Sequence, residues 1–469
     1  MLLENKVFED LAIGDREELR RLCTLDDLIV FANVSGNHNP MHLADHDGDG
    51  DGIPEALCPG MFVGSLISAV LGNVLPGAGT LYRSQQFDFL GRASAGDELI
   101  SSVEVIAKDA ATGCVTLKTE VRQSRDDSVI LQGEAVVEAP KVRIHSDVAD
   151  LPGLIVQRHR HFDALLDRAA PLPALRTAVA CPEDANSLGG ALLARDHTLI
   201  DPIFVGDAAR IRACAQDLGA DLTGIEIIDI PDHAQAATRA VALVNEGRAD
   251  ALMKGHLHTD QLLRPAIDRA TGLRGGRRFT HVFVMDVPGL AHPLLVTDAA
   301  INIAPDLKTK VDIVQNAIDV AHAIGIEVPK VGVLSAVETV NPDIPSSIDA
   351  ALLSKMAERG QITGGIVDGP LAMDNAVDMA AARTKGIVSP VAGQADILVV
   401  PGLDAGNMLA KQLTYISHAE AAGVVMGARV PIILNSRADD DMSRLASCAV
   451  AALHHHRVSG KVSGQGSAK

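Results

Sequence analysis

Two stretches of the sequence gather polar residues closely enough to do chemistry. Residues 31 to 45 read FANVSGNHNPMHLAD, which sets Asn37, His38, Asn39 and His42 around Pro40. A turn of this composition can direct several polar side chains into one pocket. About fifteen residues later, CPGMFVGSLISAVLG places Pro59 and Gly60 ahead of an apolar run. A helix starting there would offer free N–H groups able to polarise a carbonyl oxygen. A base beside an oxyanion site is an enzyme-like pairing.

The second half of the chain carries five polar clusters, each next to a short apolar run. They are Lys254, His256, His258, Thr259 and Arg264; Ser335 and Glu338; Asp368, Gly369, Asp374 and Asn375; Gly402, Asp404, Gly406 and Asn407; and Asn435, Ser436, Arg437 and Asp439. In layered α/β folds ligands collect where strands end and helix N-termini present their amides. Phosphate suits such places, because Arg and Lys add charge-assisted donors. Taken singly, a Ser or Asp at a helix start is more often a cap.

The elements that must position these residues differ between the halves. Between Leu81 and Ala139 the runs VEV, VTLKTEV and VILQGEAVV alternate apolar and polar residues, the period of antiparallel strands. LDDLIVFAN predicts a helix before the histidine-rich turn. The uncharged stretch 56–82 has an apolar part, Met61 to Leu75, shorter than the roughly 20 residues of a membrane span, so it predicts a buried helix. From about Arg176 the pattern becomes strand, loop, helix, repeated: AVA, PIFVG, IEIID, ALMKG, HVFVMDV, KVGVLSAV, GGIVDG, DILVVPG and VPIILN. The helix from Val311 puts Val314, Ala317, Ile318, Ala321 and Ile324 on one face, with Gly325 as its stop. Pro140 to Pro173 reads as a linker leading into a first helix, HFDALLDRAA. VSGKVSGQGSAK reads as a solvated tail. His454, His455 and His456 read as helix-surface residues.

The composition narrows the class further. At 469 residues the chain predicts two or three domains. With 47% hydrophobic and 22% charged residues it is globular, and a formal charge of -19 repels nucleic acid and anionic lipid. There is no Trp and only two Tyr for base stacking. Six scattered cysteines without a C-x-x-C pair, and an N-terminus without a secretory pattern, predict a cytoplasmic protein with reduced thiols. Walker A, HExxH and GxGxxG patterns are missing, which argues against a nucleotide-dependent dehydrogenase. The run Asp45, Asp47, Asp49, Asp51 lacks the twelfth-position carboxylate of a calcium loop, where Ala56 stands, and no metal is expected. Arg274, Arg277 and Arg278 fit either the phosphates of a ligand or solvated charge.

Ser35, Gly36, Asn37, His38, Asn39, Pro40, Met41 and His42, followed by Gly60, Met61 and Ser65, resemble the signature of the MaoC-like (R)-specific enoyl-CoA hydratases. The resemblance covers residues 5 to 140 and implies a hotdog fold. It implies that His42 activates water, that Gly60 donates its backbone N–H to the thioester oxygen, and that Ser65 lies at the substrate. Asn37 stands where the family has a catalytic Asp. An amide can orient water but cannot take its proton, so a working hydratase and a catalytically silent acyl-CoA-binding or assembly module are both open.

Residues 171 to 457, through MKGHLHTDQLLR, LSAVETVNP, GQITGG, DGPLAMDNA, DAGNMLAKQL and NSRAD, resemble the phosphate acetyl/butyryltransferases. The implied reaction joins acyl-CoA and phosphate to give acyl phosphate and CoA. Coenzyme A and phosphate are then substrates, and no tightly bound cofactor is expected. Ser436 and Arg437 match the family's S-R pair and Arg264 its second phosphate-directed arginine; the family places a proton-transferring carboxylate after S-R, for which the spacing leaves Asp439, Asp440 and Asp441 open, with Asp439 preferred. Lys254 and Asn407 are expected at the substrate. Acyl chain length stays open, with Lys254–Gly255 leaning toward the butyryl-like branch. The expected whole is an α+β hotdog N-terminal domain followed by a two-lobed α/β phosphate acyltransferase domain. Its divisions are 1–140, a linker and helix 141–170, 171–457, and a tail 458–469. It is expected to be a homo-oligomer that meets neither nucleic acid nor membrane.

Overall fold

In the computed structural model, which describes residues 2–43, 56–147, 160–435 and 440–465, the alternating runs after Leu81 do form antiparallel strands. Residues 1–156 and 157–469 make separate units. In the first, β1 (Leu2–Glu4) pairs with β7 (His145–Asp147). The main sheet contains β2 (Arg16–Leu22), β3 (Leu81–Phe89), β4 (Glu98–Asp109), β5 (Cys114–Gln123) and β6 (Val129–Glu138), in the order β2-β4-β5-β6-β3. Among the described residues two α-helices accompany it, α1 (Leu25–Ser35) and α2 (Gly60–Asn73).

Helix α1 begins with a reciprocal cap between Thr24 and Asp27 and ends at Gly36, whose φ of 70° is the left-handed conformation that glycine adopts without strain. Helix α2 is the expected apolar run. Its Phe62, Val63, Leu66, Ile67, Val70 and Leu71 pack on Leu99, Val103, Leu117, Val121 and Leu131 of the sheet. Each such side chain contributes roughly 1.5–3 kcal/mol on full burial. A Cβ on Gly64 would lie 2.7 Å from the Phe87 ring, so glycine there lets the helix approach β3. A sheet laid against one central helix is the hotdog arrangement.

The larger unit is α/β. Its strands are β8 (Leu175–Ala180), β9 (Ile200–Gly206), β10 (Glu226–Asp229), β11 (Ala251–Lys254), β12 (Thr280–Asp286), β13 (Leu294–Thr297), β14 (Lys330–Leu334), β15 (Ile366–Leu371), β16 (Ile397–Val399), β17 (Glu420–Met426) and β18 (Ile432–Ile433). Between them run α3 (Arg160–Ala169), α4 (Ala185–Asp196), α5 (Ala208–Leu218), α6 (His233–Asn245), α7 (Thr259–Ala266), α8 (Leu307–Ala323), α9 (Pro345–Glu358), α10 (Met373–Val377), α11 (Met379–Thr384), α12 (Leu403–Tyr415) and α13 (Asp441–Gln465).

Both lobes share one sheet among the described residues, ordered β10-β9-β8-β11-β18-β17-β12-β13-β16-β14-β15. The set β10 to β18 is parallel, as is the set β13 to β15, and β17 and β12 join them through antiparallel pairings. The two parallel sets therefore run in opposite directions, and their junction is the kind of switch point where ligands collect.

Helix α8 buries the predicted face, Val314, Ala317, Ile318 and Ala321, but starts four residues earlier, behind the Asp306 cap. Strands β13 and β17 are additions to the sequence reading. Helix α13 extends through Gln465, into the stretch read as a tail. His454 corrects the reading of a surface triplet: burial in α13 pulls its imidazole down to about 4. No helix among the described residues is long and apolar enough to cross a membrane.

Candidate functional site

In the smaller unit the turn and the helix start do meet. Leu57 N–H donates to Met41 O at 3.0 Å, and His42 Nδ1 lies 2.8 Å from Leu57 O. A carbonyl oxygen only accepts, so Nδ1 carries the proton and Nε2 is left with its lone pair. The same short segment leads through Pro59 into α2, whose first turn begins at Gly60 without a side-chain cap. A basic ring nitrogen and free helix amides are thereby held on one stretch of backbone. Asn37 is exposed, and its Oδ1 accepts the Asn39 N–H at 3.2 Å. Ser65 is exposed one turn along α2 and donates its hydroxyl to Phe62 O. The Asp45–Asp51 run lies outside the described residues.

In the larger unit the site grows from the end of β11. Lys254 is only 7% exposed there. A Cβ on Gly255 would lie 2.3 Å from the carbonyl oxygens of Ala180 and Cys181, so only glycine lets the chain pass. His256 Nδ1 then donates to Asp184 Oδ2 at 2.5 Å, and Asp184 caps α4 by accepting the Ser187 N–H at 2.8 Å. Burial raises the Asp184 carboxyl, but the Ser187 and His256 hydrogen bonds outweigh it and hold it below its ordinary value. This tie fixes Lys254 against the N-terminus of α4.

Opposite stands Asn435 at the end of β18, 3% exposed, with Nδ2 donating to Ser447 Oγ at 2.9 Å. Arg444 on α13, also 3% exposed, reaches the same place by passing α4 at Gly190, where a Cβ would come 2.5 Å from its Cδ. Asp184, Asn186, Ser187, Lys254, Gly255, Asn435 and Arg444 line one small polar hollow. Two buried cations against the one carboxylate of Asp184, which already caps α4, leave the lining with an excess of positive charge that suits an anion.

Lys254 and Asn435 also wall a second cavity of about 330 Å³, with Leu257, His258, Thr259, His281, Phe283, Ala300 and Leu434. It is mainly apolar. Burial pulls the His281 imidazole down to about 4 against the weaker opposing pull of Asp298, so the ring is neutral.

Of the expected residues, Lys254 and Asn435 come together, and His258 and Thr259 join them. Asn407 is exposed on α12, its Nδ2 3.4 Å from Ala299 O, next to the cavity residue Ala300. Arg264 is exposed on α7. Ser436, Arg437 and Asp439 lie outside the described residues, which resume at Asp440. Glu338 and Asp374 pair with Lys385, and Arg277 pairs with Asp319 at 2.5 Å. Asp368 accepts the Gly369 N–H.

The sequence reading passed over Arg444 and His281. It also passed over Cys181, Glu183 and His233, whose ligand atoms lie within 4.8 Å of one another. There Glu183 accepts from His233 Nε2 at 3.0 Å and from the Asp207 N–H, with Arg210 3.5 Å away, so its carboxylate is already engaged.

Residues 232–452 match the phosphate acetyl/butaryl transferase family, and residues 14–125 match the MaoC like domain. The chain is 60% identical over 297 residues to a phosphate acetyltransferase of Rhizobium meliloti, covering 63% of this chain and 94% of that one. It is 44% identical over 294 residues to a phosphate butyryltransferase of Clostridium beijerinckii, covering 63% and 97%. Among solved structures, a branched-chain phosphotransacylase from Enterococcus faecalis V583 aligns with a TM-score of 0.52 at 32% identity, over 60% of this chain and 99% of that one.

Proposed function

Because the chain belongs to the phosphate acetyl/butyryltransferase family, with a MaoC-like domain ahead of it, we propose that residues 171–457 transfer an acyl group between coenzyme A and inorganic phosphate. The observation that carries this reading is the convergence of buried Lys254 and Arg444 on the α4 N-terminus, beside Asn435. The hollow has room for about one water, so the phosphate dianion sits at its mouth, where Lys254 and Arg444 are charge-assisted donors, and Asn435 immediately precedes Ser436 in the chain. A phosphate oxygen attacks the thioester carbonyl carbon, the C–S bond breaks, and CoA leaves after its sulfur receives a proton. Ser436 and Arg437 steady the tetrahedral oxyanion, Arg264 assists the phosphate, and Asp439 handles the proton. CoA and phosphate are substrates, and no tightly bound cofactor enters.

Phosphate-dependent release of CoA from acetyl-, butyryl- and longer acyl-CoA tests the reading. Ser436→Ala should lower kcat by about 100-fold, the usual cost of one oxyanion donor. Absence of CoA release by the wild type from every thioester would sink it.

For residues 1–140 the reading is an enoyl-CoA hydratase in which His42 acts without a partner carboxylate. The tautomer fixed by Leu57 O supports this, because it leaves Nε2 free to take a proton from water. The alternative, an acyl-CoA-binding or assembly module, draws support from Asn37, whose side-chain oxygen is engaged by its own turn.

A cytoplasmic homo-oligomer completes the proposal. All six cysteines are free thiols, which suits a reducing compartment. The edge strand β3 exposes Leu81, Tyr82 and Phe89, and a second copy would cover it. Light scattering should give a mass above 49.1 kDa, and the single-chain mass would refute the oligomer.

A further inference from the structure

At the end of β8, three segments bring a thiol, a carboxylate and an imidazole together. Cys181 follows the strand, Glu183 lies two residues on, and His233 opens α6; their ligand atoms all lie within 4.8 Å of one another. Cys181 is fully buried and the Glu183 side chain is 1% exposed, while His233 keeps 26%. The backbone is bent to put them there. Cys181 has a φ of 54°, the left-handed conformation that a residue with a Cβ rarely adopts, and such conformations gather at functional sites. Gly206 leaves the room: a Cβ on it would come 3.1 Å from Cys181 Cα and 2.9 Å from Glu183 Oε1.

The two oxygens of Glu183 are used differently. Oε1 accepts the Asp207 N–H at 3.0 Å, a main-chain bond that orients the carboxylate. Oε2 faces His233 Nε2 at 3.0 Å, and Arg210, 3.5 Å away, has a side chain 65% exposed and solvent to move into. A hydrogen bond alone accounts for Glu183 and His233, but not for the thiol beside them. Burial, then the negative charges of Glu183 and Asp232, push that thiol up to about 12, so its surroundings favour a positive guest. A thiolate with an imidazole selects zinc over magnesium or calcium. Zinc bonds of about 2.0–2.3 Å set tetrahedral ligand atoms roughly 3.4–3.6 Å apart, so side-chain adjustments of about 1 Å complete the geometry.

We propose that Cys181, Glu183 and His233 bind one zinc ion, with water in the fourth position. The zinc–sulfur bond forms as the thiol proton passes to solvent. At His233 the metal takes the place of the proton on Nε2, and Nδ1 carries the ring proton instead. A cavity of about 380 Å³ lined by Glu183, Asp184, Arg210, Cys214 and Asp217 gives the ion a way in, its three carboxylates outnumbering one guanidinium. The ion is structural and enters no step of the acyl transfer. It ties α6 to the turn after β8, and that turn carries Asp184 and, through Cys181 O at 2.6 Å, the His256 N–H.

Cobalt(II), which occupies zinc sites and reports its ligands by colour, tests this on the full chain after treatment with a chelator. The wild type should show thiolate-to-cobalt charge transfer in the near ultraviolet and the visible bands of a four-coordinate ion, and zinc should bleach both. Cys181→Ser should lose the charge transfer. His233→Ala, at a partly exposed side chain, should weaken cobalt binding by at least about tenfold. Added zinc should raise the melting temperature of the wild type and leave that of Cys181→Ser unchanged. No charge-transfer band in the wild type overturns the inference without recourse to any variant. A band of equal strength in Cys181→Ser overturns it too, by assigning the ion to another cysteine. None of these readouts depends on transferase activity.

Discussion

A guanidinium buried to 3% exposure within a helix has given up most of its hydration, and Arg444 does so beside a second buried cation, Lys254. Gly190 supplies the room, since any side chain there would collide with the arginine stem. The lining sets Lys254 and Arg444 against the single carboxylate of Asp184, and on the proposed reading phosphate adds negative charge to it. Arg444→Leu keeps the stem volume and removes the donors. It should lower kcat/KM for phosphate by roughly 10- to 100-fold, the worth of one or two charge-assisted hydrogen bonds, while Arg444→Lys recovers part of the loss. Steady-state rates with phosphate as the varied substrate check this. An unchanged phosphate dependence in folded Arg444→Leu would place the arginine outside the phosphate site.

At the scale of elements, the end of β12 lies beside the start of β17, with Asp286 opposite Glu420. Asp286 Oδ2 accepts the N–H groups of His161 and Phe162 and so holds the start of α3. Burial first, then Asp440, Asp286 and Asp163, raises the Glu420 carboxyl from 4.5 to about 7. The folded chain thus binds this proton more tightly than the unfolded chain, so the contribution is fully present below about 4.5 and is lost as pH rises through about 7. Glu420→Gln, which cannot ionise, should raise the melting temperature at pH 8 and change it little at pH 5. Equal shifts at both pH values would assign the gain to packing alone.

The same elements explain what could be read from sequence. Strands rich in Val, Ile and Leu, such as β9 and β12, declare themselves. β17, beginning EAAG, does not, because Ala and Gly carry little strand signal and its place is set by its neighbours. Lys254 and Asn435 were legible because they end apolar strands. Arg444 was not: it sits inside a helix, where an arginine is ordinary, and only Gly190, far off in sequence, shows where it leads. His281 sits in a strand buried on both faces, where alternation gives no clue to a pocket.

For the molecule as a whole, the proposed reading has both units take acyl-CoA, so that one chain can run their two reactions in sequence. Conjugation makes the carbonyl carbon of crotonyl-CoA a poorer target for phosphate, and hydration to 3-hydroxybutyryl-CoA removes that conjugation. With crotonyl-CoA and phosphate as the only substrates, CoA release should therefore begin after a lag, while the 3-hydroxy thioester accumulates. The lag should be absent when 3-hydroxybutyryl-CoA is supplied. His42→Ala removes the imidazole held by Leu57 O and should abolish release from crotonyl-CoA, yet leave release from 3-hydroxybutyryl-CoA at the wild-type rate. Asn37→Asp adds the carboxylate that the turn lacks and should shorten the lag if water activation limits it. No physical contact between the units is required, since free diffusion of the thioester gives the same order of events. Immediate release from crotonyl-CoA, insensitive to His42→Ala, would mean that the transferase takes the enoyl group directly and that the MaoC-like unit contributes binding or assembly alone.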